Sequence, residues 1–580
     1  MVISNDQIAN KLMQLADLLE VQGTNPFRLR AYRNAAKAIK EHPESIEALV
    51  EKGFDLTEIS GVGKAVAEKC EQLVKTGTIR QFDELLEQLP LSLLDLLAVP
   101  KLGPQKVSVI FKQLGISNLQ DLKTACEGGK IAQLPGFGSK TEQAILEGIA
   151  IAEAANLRTT WANADQIAQQ LRQHFENCPA VERLEFAGSY RRGKDTIGDL
   201  DVLVMSEESA AVMDHFAKFP GISGGIARGE TKMSIYLERE FQVDLRVVPA
   251  SSFGAALQYF TGSKEHNVIV RSMAKQRKLK VNEWGVFKLE NEQEELIAGS
   301  DEADVYRLVG LPWIPPELRE ARQEFEWAVR PEGLPQLIEL TDIQGDLHMH
   351  TDASDGSATI QEMADAARAR GLQYIAITDH SKRVTMANGL NGERLMKQWR
   401  TIDELNPSFA GEFRILKGVE CDILEDGSLD LSDQVLSAAD WVTASIHYGQ
   451  QQSREQITER ILNAIRSPFV HCISHPTGRL INRRKAYEVD MLAVFQAAVE
   501  HGKFLELNAA PKRLDLHDLH CAQAISLGIK IVINTDAHHP GSLQDMRYGV
   551  LQARRGGVTR DDVANTRPLS EFLELLSVRA

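Results

Sequence analysis

Two aspartates stand two residues apart in "GDLDVLV", at positions 199 and 201. Alternate residues of a strand share a face, so Asp199 and Asp201 project together. A third aspartate, Asp244, interrupts a second apolar stretch, "FQVDLRVVP". Carboxylates among apolar strand residues are costly unless cations pair with them. Arg191 and Arg192, in the basic loop of "GSYRRGKDTIG", are one source of pairing. The other reading is catalytic. Three convergent carboxylates suit two Mg2+ ions about 4 Å apart, an arrangement that serves transfer to or from a phosphate. Gly188 and Ser189 then form a turn whose backbone N–H groups cradle phosphate oxygens.

A second cluster begins at "GDLHMHTDASDG" (345–356), which places His348 and His350 on one side of a strand. Further on, "LQYIAITDH", "FRILKGVECDI", "WVTASIHYG", "VHCISHPTG", "KFLELNAAP" and "IKIVINTDAHH" repeat one pattern. Each is an apolar strand, and nearly all end in His, Asp or Glu. Strands alternating with helical stretches predict a parallel α/β barrel, whose active face lies at the C-terminal strand ends. A single buried histidine is usually a satisfied core residue. Metal-type residues recurring at the same end of successive strands have no packing rationale. The candidate ligands are His348, His350, Asp355, His380, Glu420, His447, His475, Asp536 and His538. Mixed imidazole and carboxylate donors suit Zn2+ or Mn2+, and nine donors call for two or three ions. Metal-activated water at such a site points to phosphoester hydrolysis. His471, His501, His517, His520 and His539 are left as non-ligands.

The first part of the chain reads differently. Residues 1–150 are helical stretches separated by Gly/Pro turns. Three of these turns resemble one another: "LTEISGVGKAVAEKC" (56–70), "LLAVPKLGPQKVSVIF" (96–111) and "IAQLPGFGSKTEQAIL" (131–146). A glycine turn before a helix exposes N–H groups to a phosphate oxygen, as in helix-hairpin-helix binding of a DNA backbone. Gly61, Gly63, Gly103, Gly136 and Gly138 are the candidate contacts. The middle copy departs from the pattern, with Lys101 where the first glycine usually stands.

These elements fit a long, multidomain chain. At 580 residues it exceeds a single core, and three or four domains are expected. Histidines divide unevenly, four before position 341 and eleven after it. The boundary coincides with a charged, proline-punctuated stretch read as a linker. No apolar run reaches the roughly 18 residues of a membrane span, and the start lacks the features of a signal peptide. The six cysteines form no CxxC pair. Together these predict a cytoplasmic protein with reduced thiols. The net charge of −16 argues against chain-wide attraction to nucleic acid, although a local basic patch suffices for phosphate contacts. "RSMAKQRKLKVN" (271–282), with five basic residues and no acid, is read first as a solvated face.

"GSYRRGKDTIGDLDVLV", "VDLR" and "YFTGSKEHNVIVR" (259–271) together resemble DNA polymerase family X, the group of DNA polymerase beta. The resemblance implies that Asp199, Asp201 and Asp244 are catalytic metal-binding residues. It implies nucleotide binding by Gly188, Ser189, Arg192, Gly198, Tyr259, Phe260, Gly262, Lys264 and Asn267, and DNA contact by Arg271. Lys264 departs from the beta enzyme, which has an acid there. "RAYRNAAKAI" and "GVGKAVAEK" resemble that family's lyase domain, with Lys69 at the nucleophile position. Two supporting lysines are replaced by Arg28 and Ala65, so a plain solvent-facing Lys69 stands beside the lyase reading. "HMH", "TDH", "SIH", "SHP" and "TDAH" resemble the PHP domain, and all nine positions of its metal set are filled. The whole chain resembles the bacterial family X polymerases with a fused PHP domain. The implied barrel activities are a manganese-dependent 3′→5′ exonuclease and, in some members, cleavage at abasic sites or removal of a 3′ phosphate.

The expected fold is multidomain, α+β and α/β. The expected parts are a lyase-like helical domain with a helix-hairpin-helix (1–85), a helix-hairpin-helix subdomain (86–155), a nucleotidyltransferase palm (156–250), a thumb-like nucleotide- and template-binding subdomain (251–320), a linker (321–341) and a distorted PHP barrel (342–580). The expected partners are gapped or nicked DNA and dNTPs, with no membrane, and the protein is expected to be a monomer that fills short gaps. The alternatives are a nuclease of DNA ends that uses the polymerase part as a DNA-binding arm, and a non-enzymatic scaffold.

Overall fold

The computed structural model describes residues 5–42, 46–59, 61–86, 88–99, 102–237, 241–290 and 293–577. Lys101 lies outside the described residues. The chain divides into two compact units, Met1–Leu157 with Asn482–Arg484, and Arg158–Ile481 with Lys485–Ala580.

The first unit is helical. Helix Asn5–Gln22 buries Ile8, Leu12, Leu15 and Leu19, the spacing of one helix face. Helix Pro26–Glu41 starts with Asn25 accepting a hydrogen bond from the Phe27 N–H and with Pro26 in the first turn. The three glycine turns each precede a helix: Lys64–Thr76, Pro104–Leu114 and Ser139–Leu157. Gly61 and Gly136 have φ of +88° and +81°, which a side chain resists. Gly63 and Gly103 are extended and cap the helices that follow.

The second unit begins with a five-stranded sheet. Its order is Arg183–Phe186, Asp199–Met205, Gln242–Val248, Lys232–Tyr236 and Gly224–Arg228. Asp199–Met205 and Gln242–Val248 run parallel at the centre, so their apolar residues are covered on both faces. A three-stranded antiparallel sheet follows (Leu279–Asn282, Gly285–Glu290, Gln293–Ala298), after helices Phe253–Thr261 and Lys264–Gln276. The basic run 271–282 is split between the second helix and the first of these strands, and all five cations are exposed.

The stretch 321–341, expected as a linker, is packed rather than loose. Glu324 is fully buried and accepts from the backbone N–H of Ala321 and Arg322. Arg322 pairs with Asp518 at 3.0 Å, and the Ile338 N–H donates to the Val558 carbonyl. Its one buried charge, Glu324, has partners that composition alone does not reveal, while Arg322, Glu326, Arg330, Glu332 and Glu339 are exposed.

Seven parallel strands then follow in strict chain order: Gly345–Asp346, Tyr374–Ile377, Arg414–Asp422, Trp441–Ser445, Cys472–Ile473, Phe504–Asn508 and Ile531–Asn534. A parallel bridge between Met349 and Ala537 links the two outer strands, with the His350 N–H donating to the Ala537 carbonyl at 2.8 Å. The interior is graded along the strands. Leu416, Trp441, Phe504 and Val532 form one apolar cluster with Phe572 of helix Leu569–Ser577. On the same faces, further along each strand, lie Glu420, Ser445, Glu506 and Asn534. The period of two therefore carries each strand from an apolar floor to a polar mouth.

Candidate functional site

In the palm sheet, Asp201 and Asp244 are direct neighbours in register on parallel strands, and Asp199 pairs with Gln242 two residues earlier. Asp199 is exposed at the strand start, and Asp244 is buried. Burial and the charges of Asp199 and Asp244 push the Asp201 carboxyl up to about 7. Asp244 goes the other way. Burial opposes its charge, but hydrogen bonds from Gln242 and Ser234 and the Lys232 ammonium hold it below the usual carboxylate range. Lys232 Nζ is 2.9 Å from Asp244 Oδ2, and Gln242 Nε2 donates to Oδ1 at 2.7 Å. Neither partner is on the sequence-derived site. No local sequence signal marks either partner: sheet pairing sets the strand that Lys232 opens antiparallel to Gln242–Val248, with Ser234 opposite Asp244. A crowded carboxylate group with one member lifted toward neutrality is what a divalent cation relieves, so this donor set fits the ions the sequence implies.

The Gly188 turn lies against these carboxylates. Gly188 has φ +60°, and a methyl group there would run into Asp201. Only glycine brings the turn so close. Ser189 is partly exposed, and Gly198 immediately precedes Asp199. Arg192 is engaged: Nε lies 3.0 Å from Glu320 Oε1, and Nη1 donates to the Thr261 carbonyl at 2.6 Å. Gly262, at the end of helix Phe253–Thr261, lies beside the same guanidinium. Arg191 instead forms a two-pronged pair with Glu302 at 2.6 and 2.9 Å. Tyr259 and Phe260 are partly exposed, and their rings meet edge to face at 5.2 Å. The Asn267 amide is committed to its own helices, donating to the Tyr259 carbonyl and accepting from Gln258. Lys264, in the first turn of its helix, is exposed, as is Arg271.

In the first unit, Lys69 is partly buried on helix Lys64–Thr76. Its Nζ donates to the Ala65 carbonyl at 3.2 Å and lies over the Tyr32 ring at 5.6 Å. Arg28 donates to Gln81.

The barrel mouth is denser. Its ligand atoms form three groups whose members all lie within 4.8 Å of one another: His350, Asp355, His380 and His538; His348, His350 and Asp536; and His380, Glu420 and His447. Among the described residues no other groups of this kind occur, and the palm aspartates are not one of them. Eight of the nine sequence candidates are included. The ninth, His475, holds Glu420 Oε1 through Nε2 at 2.9 Å. Glu420 is the hub: its Oε2 lies 2.8 Å from His380 Nδ1, 3.5 Å from His348 Nε2 and 3.7 Å from His350 Nε2. His348 Nε2, both nitrogens of His350, His380 Nδ1 and Glu420 Oε2 are buried without a hydrogen-bond partner. Such orphaned ligand-type atoms, gathered in three overlapping groups, fit divalent cations. Burial and the charges of His538 and His380 bring His350 down to about 3, which keeps its imidazole neutral, the form that can bind a metal ion.

Two carboxylates missed in the sequence orient these ligands. Glu506 Oε1 receives His348 Nδ1 at 2.7 Å and also accepts from Asn534. Asp422 Oδ1 meets His447 Nδ1 at 3.0 Å. Asp422 has the parity of Glu420 on its own strand, the one available sequence signal, and the strand of Glu506 holds no candidate ligand. Arg513 Nε stands 3.4 Å from Asp536 Oδ2. The five remaining histidines belong to none of the three groups. His471 accepts from the Val442 N–H and stacks on Trp441, and His517 caps helix Asp518–Ser526.

Family models match along the chain: a helix-hairpin-helix domain (3–79), a SAM-like helix-hairpin-helix tandem (93–150), the DNA polymerase beta palm (160–223), the DNA polymerase beta thumb (256–320) and the PHP domain (346–510). The chain is 40% identical over 566 residues to the DNA polymerase/3'-5' exonuclease PolX of Bacillus subtilis (strain 168), covering 97% of this chain and 98% of that one. It is 32% identical to a "probable phosphatase" of Thermoanaerobacter sp. (strain X514) over 38% of this chain and 89% of that one. It is 26% identical to DNA polymerase lambda of Rattus norvegicus over 54% of this chain and 56% of that one. No helix among the described residues is long and apolar enough to cross a membrane. With helix-hairpin-helix, palm, thumb and PHP parts in this order, and a relative matched from end to end, the chain belongs to the PolX family, the family X DNA polymerases that carry a PHP domain.

Proposed function

We propose that this chain is a DNA polymerase that fills short gaps from dNTPs, joined to a metal-dependent 3′→5′ exonuclease or DNA-end phosphoesterase in the barrel. The observation that carries the reading is the pair of separate acidic centres: Asp201 in register with Asp244 in the palm, and the three ligand groups of the barrel. When bound, divalent cations (Mg2+ at the palm; two or three Mn2+ or Zn2+ at the barrel) supply Lewis acidity and neutralise phosphate charge. Asp199, Asp201 and Asp244 would hold the palm ions, and the nine barrel residues the others. The remaining chemistry belongs to the chain's own groups. The Gly188 turn brings backbone N–H groups to the triphosphate beside Asp201. Tyr259 and Phe260 line the sugar and base, and Arg271 lies toward the template. In the barrel, Glu506 accepts a hydrogen bond from the Nδ1–H of His348, which fixes the neutral tautomer with the Nε2 lone pair facing the cluster. Asp422 does the same for His447. The glycine turns at 61–63, 103 and 136–138 support grip on a DNA backbone without base reading. The parts are 1–85, 86–155, 156–250, 251–320, a packed connector at 321–341 and the barrel at 342–580, in a chain that acts as a monomer.

A second reading, a DNA-end nuclease with the polymerase half as an arm, has one observation in its favour. The barrel ligands already converge, whereas Asp244 is engaged by Lys232 and Gln242. Primer extension and 3′-end digestion by Asp201→Ala and His350→Ala separate the two. The proposed function requires that the first variant lose extension alone and the second digestion alone. Extension that survives Asp201→Ala favours the arm.

A further inference from the structure

One carboxylate, Glu320, sits among three cations from distant parts of the chain. Its Oε1 is 3.0 Å from Arg192 Nε and 3.0 Å from Arg555 Nη1, and its Oε2 is 3.4 Å from Lys194 Nζ. Arg192 and Lys194 belong to the loop behind the Gly188 turn. Arg555 ends helix Met546–Arg555, which packs on the barrel strands. The side chains of Arg192, Glu320 and Arg555 are 12%, 9% and 2% exposed. Arg555 Nη1 also donates to the Arg192 carbonyl at 2.5 Å, and its Nη2 to Asp518 at 2.8 Å. The far end of the same loop is held too. Asp195 pairs with Arg479 at 3.0 Å, and Arg479 donates in turn to the carbonyls of Arg513 and Leu514.

We propose that Glu320 is a displaceable stand-in for the triphosphate on Arg192 and Lys194, and that Arg555 is the positioning residue that retains Glu320 when nucleotide arrives. This rests on the assignment of Arg192 to the triphosphate. A carboxylate and a phosphate offer a guanidinium the same acceptor geometry, so they compete for one edge of Arg192. A polyanion wins that competition only if the displaced carboxylate keeps a partner, because an unpaired buried charge is strongly unfavourable. Glu320 Oε1 already touches Arg555, so the transfer needs no unpaired intermediate. Three cations around one carboxylate leave excess positive charge, which Asp518 offsets only at Arg555. Nucleotide affinity is thereby set by a residue of the barrel half that touches neither nucleotide nor metal.

The test is single-nucleotide gap filling by the full chain, read as KM for dNTP and kcat, with 3′-end digestion as the folding control. Glu320→Gln keeps the side chain's shape and removes the competitor. It should lower KM about fivefold with kcat nearly unchanged. Arg555→Ala leaves Glu320 wholly on Arg192 and Lys194 and should raise KM about fivefold. The double variant should return to the Glu320→Gln value. Arg192→Ala isolates the underlying assignment: an unchanged KM there sinks the placement of Arg192 on the triphosphate. If Arg192→Ala raises KM while Glu320→Gln leaves it at the parent value, the stand-in is wrong and the assignment survives. If Glu320→Gln fails to suppress Arg555→Ala, Arg555 acts through packing and the transfer is wrong. Should Arg555→Ala lose digestion as well, Glu320→Gln alone decides the stand-in.

Discussion

Glu506 Oε1 lies 2.7 Å from His348 Nδ1, and both side chains are fully buried. Glu506 thus stands behind a ligand rather than among the ligand groups. Orienting carboxylates of this kind are worth about 10–100-fold in metal affinity. Glu506→Gln should raise the Mn2+ concentration needed for half-maximal digestion by about that factor, with digestion restored at high Mn2+. Metal titration of the variant checks this. An unshifted titration would show that His348 needs no such support.

Asp201→Asn removes the charge at the most crowded palm carboxylate and keeps its shape. Incorporation should fall by about 100–1000-fold, the order expected when electrostatic stabilisation of a transition state is lost. Digestion should stay within about twofold, because the barrel ligands lie on other strands. Primer extension and digestion on one preparation give both numbers, and equal losses in the two would contradict separate centres.

Lys264 is exposed in the first helical turn after Gly262 and Ser263. An ammonium there attracts a triphosphate without needing a metal ion. An exposed charge contributes at the low end of charge-assisted contacts, so Lys264→Ala should weaken dNTP binding to DNA-free protein about fivefold. Calorimetry without Mg2+ reads this directly. Identical affinities leave Lys264 as a solvated side chain.

Glu302 pairs with Arg191 at 2.6 Å and with fully buried Arg319 at 2.7 Å, and it accepts from Trp313 Nε1. Burial opposes its charge, but Arg319 and Arg191 hold its carboxyl well below the usual range. A depressed carboxyl stabilises the fold above the unfolded-state value, near 4.3, and loses that contribution as pH falls through the folded value. Glu302→Gln should cost about 3 kcal/mol at pH 7, where two arginines lose their counter-charge. The gap between parent and variant should narrow below about pH 4. Thermal melts at both pH values report it, and a gap that widens in acid would overturn the sign.

Local periodicity determined much of this protein from sequence alone. Residues two apart share a strand face whatever the fold, so Asp199 with Asp201 and the ligand-ended strands were legible before any coordinates. The glycine turns before helices were legible for the same reason, since their backbone requirement is local. The meeting of distant charges was not. Lys232 reaches Asp244 because sheet order puts their strands side by side, although two strands adjacent in sequence need not pair. Asp422 shares the parity of Glu420 and Glu506 that of Phe504, and only the closed barrel separates the candidate ligands from the carboxylates behind them. Arg192 and Glu320 are 128 residues apart, and Glu320 and Arg555 are 235 apart. A charged stretch such as 316–324 reads as solvated when composition is the guide. Packing decided otherwise, because a buried charge is tolerated only where a partner is delivered to it, and tertiary structure alone delivers partners across such separations.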